Sequence, residues 1–376
     1  MTKTSETAAT PSFTIPAIIA AALTVATGAT QPLLITVAKM FGLADPRAQL
    51  YMLFYYIGPA SISLSIRSRC CRRRDEPPTL LKSTTTNPTT LNENEWPSGW
   101  SLLKAAGIAA IDIFAQSMNY TGVSLAGPTI FAIIYSSVTI WTAVYSRVLL
   151  NRHLTIYQWV GVGTVFGGLL LTCFHSFQLG RQVFLGSCLI FVGSSIHALG
   201  YVISEYIMTR GKLEYRITVR ANCAIQGLVA CIALLVWQMV YTRPRFSELI
   251  EQPMMEAGGT SWTQASIVFL GISLANFVHS ISFMYTLRHF PGGAVSAGIL
   301  KGLQAVLVFA ATSVAFCGNT HVGGDEMCFN GAKLLSLIVV VGGSLVYGKA
   351  TELQTKKEAS GGYKIVPDAV VDDSAI

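Results

Sequence analysis

Apolar runs of membrane-spanning length recur ten times along the chain, near 14–38, 48–66, 99–119, 126–149, 156–174, 183–207, 218–241, 262–286, 291–317 and 331–348. A bilayer core of about 30 Å takes roughly 20 consecutive apolar residues in a helix, so each run predicts one spanning helix. Only Tyr120 to Leu125 separate the third run from the fourth, and LRHFPGG (287–293) joins the eighth to the ninth, which predicts tight helical hairpins. Stretches such as GVGTVFGG (161–168), GSCLIFVGSS (186–195) and VGGSLVYG (341–348) supply small residues where membrane helices approach closely. The expected fold is all-α: a polytopic membrane protein with ten transmembrane helices.

Composition agrees. Of 376 residues 52% are hydrophobic and 12% charged, where soluble domains carry about a quarter charged residues. The first twelve residues, MTKTSETAATPS, hold a single Lys3 and lead into a long apolar run, which reads as a retained first helix and not a cleaved signal peptide. The net charge of +7 sits in loops: 18 of the 26 Lys and Arg fall on the side that carries both tails. That excess marks the cytosolic face and argues against a nucleic-acid partner. The longest polar segment, 67–98, contains RSRCCRRR (67–74), either a site for anionic lipid or a plain positive-inside anchor, with Cys70 and Cys71 as palmitoylation candidates. Cys317 and Cys328 bracket the loop CGNTHVGGDEMC and form a disulfide if that loop faces an oxidising compartment. No Cys or His spacing implies a metal site, and no cofactor is implied.

Sliding the chain by 165 residues lays 110–141 on 275–306, so that Tyr120-Thr121 falls on Tyr285-Thr286, Ser117 on Ser282 and Gly127 on Gly292. Spans three and four thereby land on spans eight and nine. A repeat of five spans must invert, because its second copy enters from the opposite side, and inverted repeats are a transporter architecture. The expected organisation is a tail (1–13), a first five-helix repeat (14–174, with the basic loop 67–98), a second (175–348) and a cytosolic tail (349–376).

A few polar residues interrupt the apolar spans. Lys301 lies about ten residues into the ninth, roughly 15 Å deep at 1.5 Å per residue. Its side chain reaches only about 6 Å, so it must face protein or water. Either it lines a pathway or it is half of a buried ion pair. The 165-residue offset places Ser136 opposite it, leaving a lone cation suited to an anionic solute. Asp112, Gln116 and Asn119 recur at i, i+4 and i+7 on one face of the third span; Asp112 could pair with Lys301, take a proton or bind a hydroxyl. Asn276 and His279 form a second patch, and Tyr135 and Gln304 complete the expected lining. His197 ranks below His279, and Glu205 is expected to be neutralised by Arg210 or Lys212.

The segment 119–171, with LLNR (149–152), Leu154 and Gln158-Trp159, resembles the fourth and fifth helices of the drug/metabolite transporter superfamily, most of all its nucleotide-sugar transporters. AGILKG (297–302) is similar to that branch's ninth-helix run, whose lysine contacts the nucleotide; the matching position is Lys301. SEYIM (204–208) matches the sixth-helix ending through Glu205 and an apolar pair. A second family lysine falls on Val138, and the Asp-Asn before the ninth-helix lysine reads Ala297-Gly298. The resemblance implies a carrier and not an enzyme: an alternating-access antiporter of an anionic metabolite such as a nucleotide sugar, in Golgi or endoplasmic reticulum membrane, with the bilayer as partner and a homodimer left open. The rivals are proton-coupled export of a drug, vitamin or other small organic solute, with Asp112 or His279 titrating, and a non-transporting scaffold acting through its basic loop.

Overall fold

The computed structural model describes residues 14–66, 96–97, 99–152, 154–210, 216–290, 293–318 and 327–359. Both chain ends, most of the 67–98 loop with Cys70 and Cys71, and Lys212 lie outside the described residues. Every regular element among the described residues is helical. In chain order these are α1 Ile15–Met40, α2 Leu50–Ser61 with a 3-10 turn Ile62–Ser65, α3 Gly99–Ala126, α4 Pro128–Leu149 and α5 Ile156–Leu179. The remainder are α6 Arg181–Thr209, α7 Val219–Trp237 with helical turns running on to 256, α8 Trp262–His289, α9 Ala294–Ala315 and α10 Gly331–Ala359.

All ten expected segments are helical, and eight helices are long and apolar enough to cross a membrane. The other two are shorter: α2 has 12 residues and the apolar part of α5 is Ile156–Thr172. The protein is thus an all-helical, polytopic membrane protein. Helix starts follow local chemistry. Thr218 accepts from Ala221 N to cap α7, and Ser261 and Gln264 form a reciprocal capping box on α8. Gly127, at φ 82°, turns the hairpin after α3 into Pro128, whose fixed φ begins α4.

The main helix pairings are α3 with α6, α1 with α8, α5 with α10, α2 with α8, α3 with α7, α2 with α7, α1 with α9, α4 with α6 and α4 with α9. Advance every helix number by five and the set maps onto itself: α3–α6 becomes α8–α1, α2–α8 becomes α7–α3, and α1–α9 becomes α6–α4. The pairs α2–α7, α4–α9 and α5–α10 map onto themselves. Small residues set the spacing in the last of these, where a Cβ on Gly161 would stand 2.8 Å from Gly343 O.

α4 and α9 cross at the centre. There α4 tightens at residues 136 and 137, between its two helical pieces Pro128–Tyr135 and Val138–Leu149, with Ser136 N and Ser137 N bonding three residues back. Thr139 Oγ1 donates to Gly298 O at 2.8 Å, and Ser136 Oγ reaches Lys301 O at 3.5 Å. Ser136 and Lys301 are 165 residues apart.

Candidate functional site

The polar face of α3 turns inward because a carboxylate and two amides cannot be left in lipid. Asp112 is 15% exposed, Gln116 5% and Asn119 0%. The three then diverge. Asp112 and Gln116 line a central cavity of about 60 Å³, room for about four waters. Asn119 instead packs against Gly193 of α6 and donates only a long bond, 3.5 Å, to Gln116 Oε1.

Asp112 does not pair with Lys301. Its Oδ2 accepts from Tyr56 OH at 2.6 Å and its Oδ1 lies 3.0 Å from His197 Nε2. The other ring nitrogen of His197, Nδ1, stands 2.9 Å from Tyr135 OH, which is in turn 2.9 Å from Tyr201 OH. One hydrogen-bonded chain therefore joins α2, α3, α6 and α4: Tyr56, Asp112, His197, Tyr135, Tyr201. His197, ranked below His279 on sequence, is its centre.

Lys301 is 3% exposed. Because α9 begins at Ala294 and not Pro291, Lys301 is seven residues, about 10 Å, from its helix start, less than the 15 Å expected. Its Nζ lies over three rings, 5.1 Å from Phe283, 5.3 Å from Tyr135 and 5.9 Å from Tyr201. Cation–π contacts at that range hold an ammonium without neutralising it. Among the described residues no carboxylate comes within 4 Å of it. It lines the 60 Å³ cavity and a neighbouring one of about 20 Å³, and Gln31, Gln116 and Tyr135 also border both.

The remaining expected residues fall on these walls or behind them. Asn276 and His279 line the larger cavity, Asn276 accepting from Gln31 Nε2 at 2.8 Å and donating to Tyr55 O at 2.7 Å. His279 Nδ1 is 3.0 Å from Thr27 Oγ1. Gln304 lines the smaller cavity and donates to Thr24 O at 2.9 Å. Ser136, fully buried, bonds back to Ala132 O and borders neither cavity. Sequence reasoning passed over Gln31, Tyr55, Tyr56 and Tyr201. The signal was present in part: His197 and Tyr201 are one helical turn apart, and Tyr55-Tyr56 interrupt the apolar second span.

Glu205, 3% exposed, is met by Arg152, from the loop after α4, and its Oε2 accepts from Ala294 N at 2.7 Å, at the start of α9. Gly293, at φ +54°, makes room: a Cβ there would sit 2.2 Å from Glu205 Oε1. At the opposite end of the bundle Phe316 and Met327 pack with Leu33, Val37 and Met40, and Cys317 and Cys328 form the disulfide that the sequence left open.

Residues 80–174 match the model of the EamA-like transporter family. Two curated relatives, solute carrier family 35 member F6 of Homo sapiens and of Pongo abelii, are each 22% identical over 246 residues. The match covers 64% of this chain and 64% of each relative, a little under two thirds of their length. One solved chain aligns over 86% of this chain and 98% of its own length at 14% identity with a TM-score of 0.43, a likeness too loose to assign a fold. The resemblance to the drug/metabolite transporter superfamily is borne out by these matches, the family model covering LLNR and Gln158-Trp159.

Proposed function

We propose that this protein is a secondary-active carrier that moves a small anionic solute across a membrane by alternating access, with Lys301 as the charge that receives it. The observation that carries this reading is the buried Lys301 amine, which lines a cavity of about 60 Å³ and has no carboxylate within 4 Å of its nitrogen among the described residues. Leaving a charge in that state costs several kcal/mol unless a counter-charge visits. The likeness to EamA-like transporters and to solute carriers supports the class.

Cavities of 60 and 20 Å³ are far below the roughly 300–1,000 Å³ of a typical ligand pocket. A nucleotide sugar, the substrate that the nucleotide-sugar branch suggests, would enter only after the bundle opens at one end. The self-mapping helix pairs and the meeting of Ser136 with Lys301 support ten crossings arranged as two inverted repeats, 14–174 and 175–348. The lysine and arginine distribution supports both tails in the cytosol, and the disulfide supports an oxidising compartment, Golgi or endoplasmic reticulum, on the far side. Gln31, Gln116, Asn276 and Gln304 supply amide groups for the solute's uncharged part, with Asn119 and Ser136 holding helices together behind them.

The test is exchange in liposomes preloaded with nucleoside monophosphates, sugar phosphates or carboxylates. One anion should accelerate uptake of its labelled counterpart, and Lys301→Ala should slow that exchange by roughly 30-fold or more, because the buried counter-charge is gone. Unchanged exchange in the Lys301→Ala variant would remove the mechanism.

A further inference from the structure

Two imidazoles face the larger cavity, and they are not equivalent. Among the described residues His279 meets the Thr27 hydroxyl, the Thr24 backbone and the Phe283 ring, and no carboxylate. His197 is held at both nitrogens, by a carboxylate on one side and a phenol on the other. We propose that the Asp112–His197 pair is a proton-binding site, and that the carrier takes up one proton together with its anion.

The geometry suits both protonation states without moving a heavy atom. With His197 neutral, Nε2–H donates to Asp112 Oδ1, Tyr135 donates to Nδ1, and Tyr201 donates to the Tyr135 oxygen. With His197 charged, Nδ1–H donates to Tyr135, whose hydroxyl turns to donate to Tyr201. The Tyr201 hydroxyl keeps its hydrogen and turns it into the cavity that its side chain lines. No bond in the chain is lost, so the site does not resist the proton by stranding a buried polar group. Water in the same cavity is the source, since Asp112, His197, Tyr135 and Tyr201 all line it.

Charge explains the link to the solute. The other titratable or charged groups on that cavity are Tyr55 and Tyr56 from α2, Cys223 from α7, His279 from α8 and Lys301 from α9; α1 contributes only Gln31, and α5 and α10 contribute none. With both imidazoles neutral, Asp112 and Lys301 cancel. A proton on His197 leaves the cavity one unit positive, which a singly charged anion offsets. Proton and anion therefore favour each other, and by linkage the favour is mutual. His279 is the poorer host for that proton, because it shares the cavity with the Lys301 cation and has no carboxylate on it. Tyr135 and Tyr201 also form two of the three rings under Lys301, so the hydroxyls that report the proton belong to the walls that hold the anion's charge.

This coupling rests on the anion-carrier reading, and two measurements on the full chain in lipid nanodiscs separate them. Nitrogen-15 histidine resonances titrated from pH 5 to 8.5 should show one imidazole, bonded through Nε2–H when neutral, converting to imidazolium. That signal should vanish in His197→Gln and shift to lower pH in Asp112→Asn, which also identifies it should the first variant fold poorly. A His197 that keeps one form throughout overturns the proposal. Binding of uridine diphosphate glucose, whose charge is the same at pH 6 and pH 8, should be about tenfold tighter at pH 6 when read by thermal shift, and the difference should disappear in His197→Gln. Equal binding at both pH values overturns the coupling. If no anion binds at either pH while His197 still titrates, the proton site stands and the anion-carrier reading falls.

Discussion

The two ends of the bundle are closed by opposite physics. Advancing Met40 by 165 residues gives Glu205, and advancing Arg152 by the same step gives Cys317. At one end Arg152 and the start of α9 converge on the Glu205 carboxylate. At the other, Met40 packs with Phe316 and Met327 beside the Cys317–Cys328 disulfide. The bundle thus carries a polar latch at one end and an apolar plug with a covalent clip at the other. An ion pair at a helix start loses its hold when one group is removed or rehydrated, whereas an apolar contact weakens in proportion to the area exposed. The two ends therefore respond to different perturbations.

Removing the latch should cost most. Glu205→Ala strands the Arg152 guanidinium and the Ala294 amide, and apparent stability in detergent should fall by about 3 kcal/mol, the lower end for a broken buried pair because the Arg152 side chain is 33% exposed. A melting temperature within error of the parent would mean that the latch is decorative. Reducing the Cys317–Cys328 bond, which closes a sequence separation of 11 residues, should cost about 2–3 kcal/mol, with a loss that is independent of salt. A salt-dependent loss would show that the plug end is also held by charge. The plug end does carry ion pairs, Arg47 with Asp45 and with Glu248, but Arg47 and Glu248 are more than half exposed. Arg47→Ala should therefore leave the melting temperature unchanged, the smallest effect of the three, since exposed pairs are screened by water and salt.

The same contrast separates what was legible in the sequence from what was not. Lys301, Asp112, Gln116, Asn276, His279 and Gln304 could be read as lining because a polar side chain in an apolar span must face inward, and each of them does line a cavity. Asn119 and Ser136 obey the same rule and still border neither cavity, because facing inward also includes helix–helix contact. His197 was undervalued for the converse reason: alone on its span it looks like a packing residue, and its role comes from Asp112 on another helix.

By itself the chain determined its helices and its membrane-spanning class, since hydropathy and turn chemistry act within about 20 residues. Only the tertiary structure decided the partners: Asp112 with His197 and Tyr56, Glu205 with Arg152, and an ammonium over three rings with no carboxylate on it among the described residues. The physical reason is range. Hydrogen bonds and ion pairs are settled at about 3 Å between groups dozens to hundreds of residues apart, and which groups meet depends on how the ten helices rotate and cross.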